Sequence, residues 1–259
     1  MYRLSFLLII LSITSFYSCD TEPTSAIATT PPISITEANY TKVDSNQHYE
    51  INLSYPVIHG SISESILNQI NNHISESFYA FVPQKSFIES HQALPDHYYE
   101  QPDLYGVLQS SYGVTQCDSM IHIWFSVYQY PIGAAHGSTQ YHTLHFNLHT
   151  GAPLELGDFM KLDSQTQKNI KRIINKNLPD STCWGIEVDS TIQMHIEKFT
   201  IGRDSIHFKI NDYELCPFAF SEPNISIHKS VFDSILAHGI SFNCLEISPE
   251  IQKGDIATH

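Results

Sequence analysis

Residues 121–130 alternate, with Ile121, Ile123, Phe125 and Val127 on one face and His122, Trp124, Ser126, Tyr128 and Tyr130 on the other. Period two over ten residues is the signature of a strand with one apolar and one aromatic face. Pro131, Gly133 and Gly137 interrupt it, and a second alternation carries Leu144, Phe146 and Leu148 inward and Thr143, His145 and Asn147 outward. The two runs read as an antiparallel pair. Thr150-Gly151 closes the second strand, and Leu154, Leu156, Phe159 and Met160 begin a new apolar segment. Upstream, Tyr49, Ile51, Leu53, Tyr55 and Val57 make a first strand ended by Gly60. Ser61, Ser63 and Glu64 then supply helix-start chemistry for Ile62, Ile66, Leu67, Ile70, Ile74, Phe78 and Phe81, spaced for a helix of about five turns. Residues 83–104 suggest a short helix and a loop, and 105–130 a hairpin around Cys117-Asp118-Ser119. Further on, Ile170, Ile173, Ile174 and Leu178 mark a helix over 164–178 that stops at Pro179. Trp184 to Val188 reads as a helical or irregular stretch. A hairpin over 199–210 turns at Gly202-Arg203-Asp204-Ser205, and Ile225 and Ile227 sit on a last strand before a helix from Ser230 to Ala237. Local hairpins with interspersed helices indicate the α+β class, as two small units of antiparallel sheet packed with helices.

Composition adds an address. Residues 1–18, MYRLSFLLIILSITSFYS, carry Arg3, an apolar run and a small residue before Cys19, which is an export signal too short to span a bilayer stably. The Ser-Cys ending resembles a bacterial lipoprotein box, with Cys19 as the acylated N-terminus. Acyl chains hold such a protein on a membrane through about 0.8 kcal/mol per buried methylene. Residues 19–37, rich in Thr, Ser and Pro, read as a disordered tether. Cys117, Cys183, Cys216 and Cys244 permit three full disulfide connectivities, and free buried cysteines are the alternative. With 13 Lys+Arg against 27 Asp+Glu, the formal net charge is −14. Such a field repels nucleic acid and anionic membrane surfaces and suits a basic partner.

The run from Tyr128 to Met160, with its GAAHG turn, NLHTG and the Leu-x-Leu-x-Asp-Phe that follows, resembles the RsiV-like extracytoplasmic domain. Relatives there carry a Gly-Gly-Ala-His turn, then Asp-x-x-Thr-Gly and Leu-x-Leu-x-Asp-Leu-Phe. FTIGRDSIHFKINDYELCPFAFSEPNISI, residues 199–227, is similar to that family's closing pattern. Residues 38–130 resemble the small domain at the N-terminus of PdaC-like peptidoglycan deacetylases. The resemblance implies a small α+β domain over 38–130, an RsiV-like domain over 131–248 and a tail over 249–259. Ala134 departs from the family's turn glycine, and His149 stands where relatives carry a charged or polar residue. Neither the anti-sigma segment and spanning helix of RsiV nor a deacetylase module with its Asp and His motifs is expected. What the resemblance implies is an envelope-exposed binding protein, with lysozyme as the family's precedent for a ligand.

Candidate chemistry is sparse. His136 in the small-residue turn is the obvious residue to weigh, and with Tyr128, Tyr130, Gly133 and Gly137 it forms the expected binding patch. A histidine bonding turn backbone is the simpler account, because no nucleophile or carboxylate stands beside it. His142 falls on the strand face opposite His145 and His149, so the three cannot converge on a metal from one strand. Scattered surface histidines are expected instead. No nucleophile elbow, phosphate loop or zinc motif occurs, and Glu155, Asp158, Glu187 and Asp189 sit among turns and helix starts. The aromatics His97, Tyr98, Tyr99 and Tyr105 offer stacking surfaces, or else hairpin packing. No catalytic residue, cofactor or metal is expected. Asp-Ser triplets at Asp118, Asp180, Asp189, Asp204 and Asp233 resemble the O-glycan acceptors of Bacteroides-like bacteria and point to their outer membrane. The expectation is a lipid-anchored envelope binding protein whose partner is a basic protein such as lysozyme, or a glycan. Its rival is a peptidoglycan hydrolase with a cleft near GAAHG.

Overall fold

The computed structural model describes residues 32–98, 105–177, 196–211, 225–237, 240 and 242–249. The export signal, Cys19, most of the tether, Cys183, Cys216, the Trp184 to Val188 stretch, residues 212–224 of the closing pattern and the tail after Pro249 lie outside them. Strands β1 (Ile33–Asp44) and β2 (Tyr49–Gly60) form a long hairpin, followed by helices α1 (Glu64–Phe81) and α2 (Gln84–Gln92). Strands β3 (Gly106–Cys117), β4 (Met120–Tyr130) and β5 (Ser138–Asn147) complete the order β1-β2-β3-β4-β5. After α3 (Leu156–Phe159) and α4 (Ser164–Asn177), the strands β6 (Phe199–Ile201), β7 (Ser205–Phe208) and β8 (Ile225–His228) make a three-stranded antiparallel sheet. The last strand, β9 (Cys244–Ile247), returns to the first sheet. The class is α+β.

Ser63 caps α1 as its position suggests, its hydroxyl accepting from Ile66 N–H at 3.4 Å. The helix buries Ile70, Ile74 and Phe78 against one face of the large sheet, where Tyr49, Ile51, Leu53, Leu108, Ile121, Ile123 and Phe125 meet them. Each such side chain contributes about 1.5–3 kcal/mol through burial. A second core gathers Phe159, Met160, Ile170, Ile174, Phe199, Ile206, Ile227 and Phe232 beneath the small sheet, and it packs on the opposite face of the large one. The large sheet is therefore covered on both faces over part of its area.

Several expectations change. Strand β1 starts at Ile33, so residues 33–37 belong to the sheet and not to the tether. The boundary at 130/131 does not separate the units, because Phe146 and Leu148 lie in the first core and β9 pairs with β3. In place of an α-helix from Ser230 to Ala237 there is a 3-10 turn over Lys229–Val231 and then a bridge between Met160 and Leu236. Ile235 and Leu236 N–H turn back to Phe232 O, and bonds from Lys161 N–H to Ile235 O and from Ala237 N–H to Phe159 O tie the end of this segment to the end of α3. The expected hairpins over 105–130 and 199–210 are present, and the first turns at Asp118 with φ 47°.

The outer edge of β3 is shared. β2 runs parallel to it from Gly106 to Gln109, and β9 runs antiparallel to it from Val114 to Cys117. Cys117 and Cys244 face each other at the end of that second ladder and are joined by a disulfide across 127 residues. Closing a loop of that length stabilises the fold by roughly 5 kcal/mol on a chain-entropy account. Replacing Cys117 and Cys244 together by Ser is expected to cost about 2–5 kcal/mol of stability, read from denaturant unfolding of oxidised protein. A stability unchanged within error would remove this role for the bond.

Candidate functional site

The GAAHG turn is built by packing. Gly133 has φ 77°, a conformation that favours glycine, and an added Cβ there would press on the Tyr98 ring. A Cβ at Gly137 would collide with the ring of Tyr128. His136 Nδ1 donates to Gly137 O at 3.1 Å. Of the expected binding patch, Tyr128 and Gly137 are in contact, Gly133 meets Tyr98 instead, and Tyr130 pairs across the ladder with Val107. Tyr105 stacks on His48 at 5.3 Å, so the described members of the aromatic loop pack against neighbours. Glu155 and Asp158 form a capping box on α3, with Glu155 N–H donating to Asp158 Oδ2 at 2.7 Å.

The expectation of scattered surface histidines is corrected most clearly on β4 and β5. His122 and His145 lie opposite each other across the ladder, both buried, with their Nδ1 atoms 2.8 Å apart. Phe159 and Phe199 enclose them, the latter stacked on His145 at 4.5 Å. The second core covers the face that alternation alone assigns to solvent. One Nδ1 must donate and the other accept, so the accepting ring must be neutral and the pair cannot persist with both rings charged. Burial pushes His122 down to about 3, and burial with His122 nearby pushes His145 well below the usual imidazole range. A cleft of about 590 Å³ touches His145 beside Glu155, Lys171 and Glu197. Neither nitrogen of His145 faces it, since Nδ1 is bonded to His122 and Nε2 is buried without a partner. Acid–base chemistry on a ligand is closed to this ring in the folded state. His142 lies on the other face, stacked on Phe81 at 5.1 Å, as the alternation requires. Among the described residues, no group of three His, Cys, Asp or Glu side chains converges to hold a metal.

A groove forms where the second core stops covering the sheet. Gly113 on β3 stands opposite Trp124 on β4, and the missing side chain lets the indole lie across β3, where a Cβ would collide with it. Two clefts of about 350 and 500 Å³ adjoin there, sharing Thr115, Trp124 and Glu246 as walls. The first opens at the gap between β2 and β9 and adds Glu37, Ser54 and Tyr112. Burial and the Glu37 carboxylate push the Tyr112 hydroxyl up, so it stays protonated. The second runs toward the β6–β7 hairpin and adds Arg203, His207 and Lys209. Lys209 Nζ sits 4.6 Å from the Trp124 ring centroid and 5.5 Å from that of Tyr141. Leu245 of β9 is 60% exposed along this wall. A mid-strand glycine facing a tryptophan is a signal the chain offers, yet the facing depends on register and is invisible without the ladder.

The family model described as Deacetylase PdaC matches residues 42–139. No curated protein matches the chain significantly. In structure the chain is similar to a DUF3298 family protein from Pseudomonas aeruginosa PAO1, with a TM-score of 0.51 and 14% identity over 80% of this chain and 95% of that one. A member of the same family from Bacteroides fragilis NCTC 9343 aligns with a TM-score of 0.49 and 16% identity, over 81% of this chain and 94% of that one. The first similarity concerns the fold.

Gly137→Ala is expected to destabilise by about 1–3 kcal/mol through overpacking on Tyr128, while His136→Ala changes stability little; chemical denaturation distinguishes the two. The histidine pair also sets a pH dependence. Both folded-state pKa values are depressed, so the unfolded chain binds more protons as pH falls below about 6.5, and stability is lost progressively from there toward about 3. Melting temperature should fall as pH is lowered across that window, and His122→Leu with His145→Leu should flatten the dependence.

Proposed function

We propose that this protein is a non-catalytic binding module of the bacterial cell envelope, held on a membrane through an acylated Cys19, and that it takes a glycan along the Trp124 groove. The observation that carries the reading is the pair of adjoining clefts around Trp124. An extended, hydroxylated ligand needs an aromatic or apolar surface for its C–H faces and polar side chains for its hydroxyls. Trp124 and Leu245 supply the first, and Thr115, Ser54, Glu37 and Glu246 the second. The RsiV-like resemblance and the Cys117–Cys244 disulfide both fit an exported protein, since such bonds persist in oxidising compartments. The packed GAAHG turn favours a scaffold role for that motif over the rival peptidoglycan hydrolase. One property favours a second reading, a basic protein ligand such as lysozyme: the net charge of −14.

Calorimetric titration with soluble peptidoglycan fragments and with neutral and acidic oligosaccharides tests the groove. Binding is expected in the wild type, and Trp124→Ala should weaken it at least tenfold, about 1.4 kcal/mol. Silence across the panel, together with capture of lysozyme at low salt that fades as salt rises, would transfer the assignment to the protein ligand.

A further inference from the structure

The two ends of the groove differ in charge, and that difference specifies its ligand. Glu37 lines the first cleft, Arg203 and Lys209 line the second, and Glu246 stands at their junction beside Trp124. Arg203 and Lys209 are two of the 13 Lys+Arg of the whole chain. Burial, with Lys209 beside it, holds His207 below the usual imidazole range, so the positive charge of that end at neutral pH rests on the two longer side chains. Lys209 is held over the indole and over Tyr141, which places its ammonium at a defined position along the groove. Arg203 projects, exposed, from the β6–β7 turn. Glu246 between the ends repels a negative charge at the junction and leaves the Arg203 and Lys209 end as the place for it.

Resting on the glycan reading above, we infer that the groove selects saccharides bearing a carboxylate, seated with the acid group at Arg203 and Lys209 and with hydroxyl groups toward Thr115, Glu246 and Glu37. Carboxylate against guanidinium and ammonium is a charge-assisted pairing. A uronic acid and the lactyl ether of an N-acetylmuramyl residue share this chemistry.

The test compares each acid with its methyl ester, which keeps the sugar skeleton and removes the charge. The full mature chain is titrated with tetragalacturonate, with a tetrasaccharide of alternating N-acetylglucosamine and N-acetylmuramic acid, and with the methyl ester of each. At least one acid form should bind tenfold or more tightly than its ester. Lys209→Gln and, separately, Arg203→Gln should each weaken binding of the acid far more than binding of its ester and so erase most of that preference, with melting temperature near the wild-type value. Arg203 is exposed on the β6–β7 turn, so its variant tests charge even where Lys209→Gln shifts Trp124. Which of the two acids binds identifies the source of the carboxylate. Equal binding of acid and ester would overturn the inference and leave the glycan reading standing, and binding only by neutral chains of the wider panel would do the same. Binding by no saccharide of either set would remove both.

Discussion

Strand β3 is longer than either neighbour on its outer edge can cover. β2 takes its beginning and β9 its end, and over Ser110 to Gly113 neither ladder continues. Ser110 Oγ bridges part of the gap by donating to Ser54 O at 2.9 Å and accepting from Ser54 N–H at 2.7 Å. Past that point the edge is open, and the first cleft occupies the opening. A sheet edge left unpaired invites association with other chains. Here the exposed stretch is only a few residues long and lies between two strands that diverge from it. The site thus follows from how one edge is divided, and the divided edge depends on a strand brought back from the far end of the chain.

The second consequence of this arrangement is that β4 has no solvent face at its start. Ile121 and Ile123 go to the first core and His122 to the second. A neutral imidazole pair is a costly way to fill a buried layer, since the donor and acceptor that remain have no partner. Two aromatic rings compensate through stacking, and the ladder fixes the geometry of the bond. The same second layer that swallows the histidines stops short of Trp124, and that limit sets where the groove begins.

Local patterning made much of the fold readable. The alternation of 121–130 and 144–148, the cap and spacing of α1 and the two tight hairpins all depend on residues close in sequence. What patterning could not reach were features decided by distant partners. β9 is four residues long, and its place beside β3 is set by a ladder and a Cys117–Cys244 bond to residues more than a hundred positions away. Residues 33–37 of β1 read as tether because Ser34 and Thr36 continue the Ser- and Thr-rich composition before them, and they become strand through pairing with β2. His145 reads as surface because alternation cannot say whether a second layer lies above a polar face. The candidate site fared worst. Small residues in the GAAHG turn mark a site by pattern yet satisfy packing demands from Tyr98 and Tyr128, while Gly113 and Trp124 belong to separate strands and only register brings them together.

The span between Cys117 and Cys244 is a covalent ring, and the second core lies almost wholly within it. A protease that cuts one peptide bond anywhere inside that ring leaves a nicked but undivided molecule. Both new ends stay tied to β3, and whatever holds the N-terminal hairpin in place holds β9 with it. In an environment crowded with peptidases, the wall of the groove is retained after an injury that would otherwise shed it.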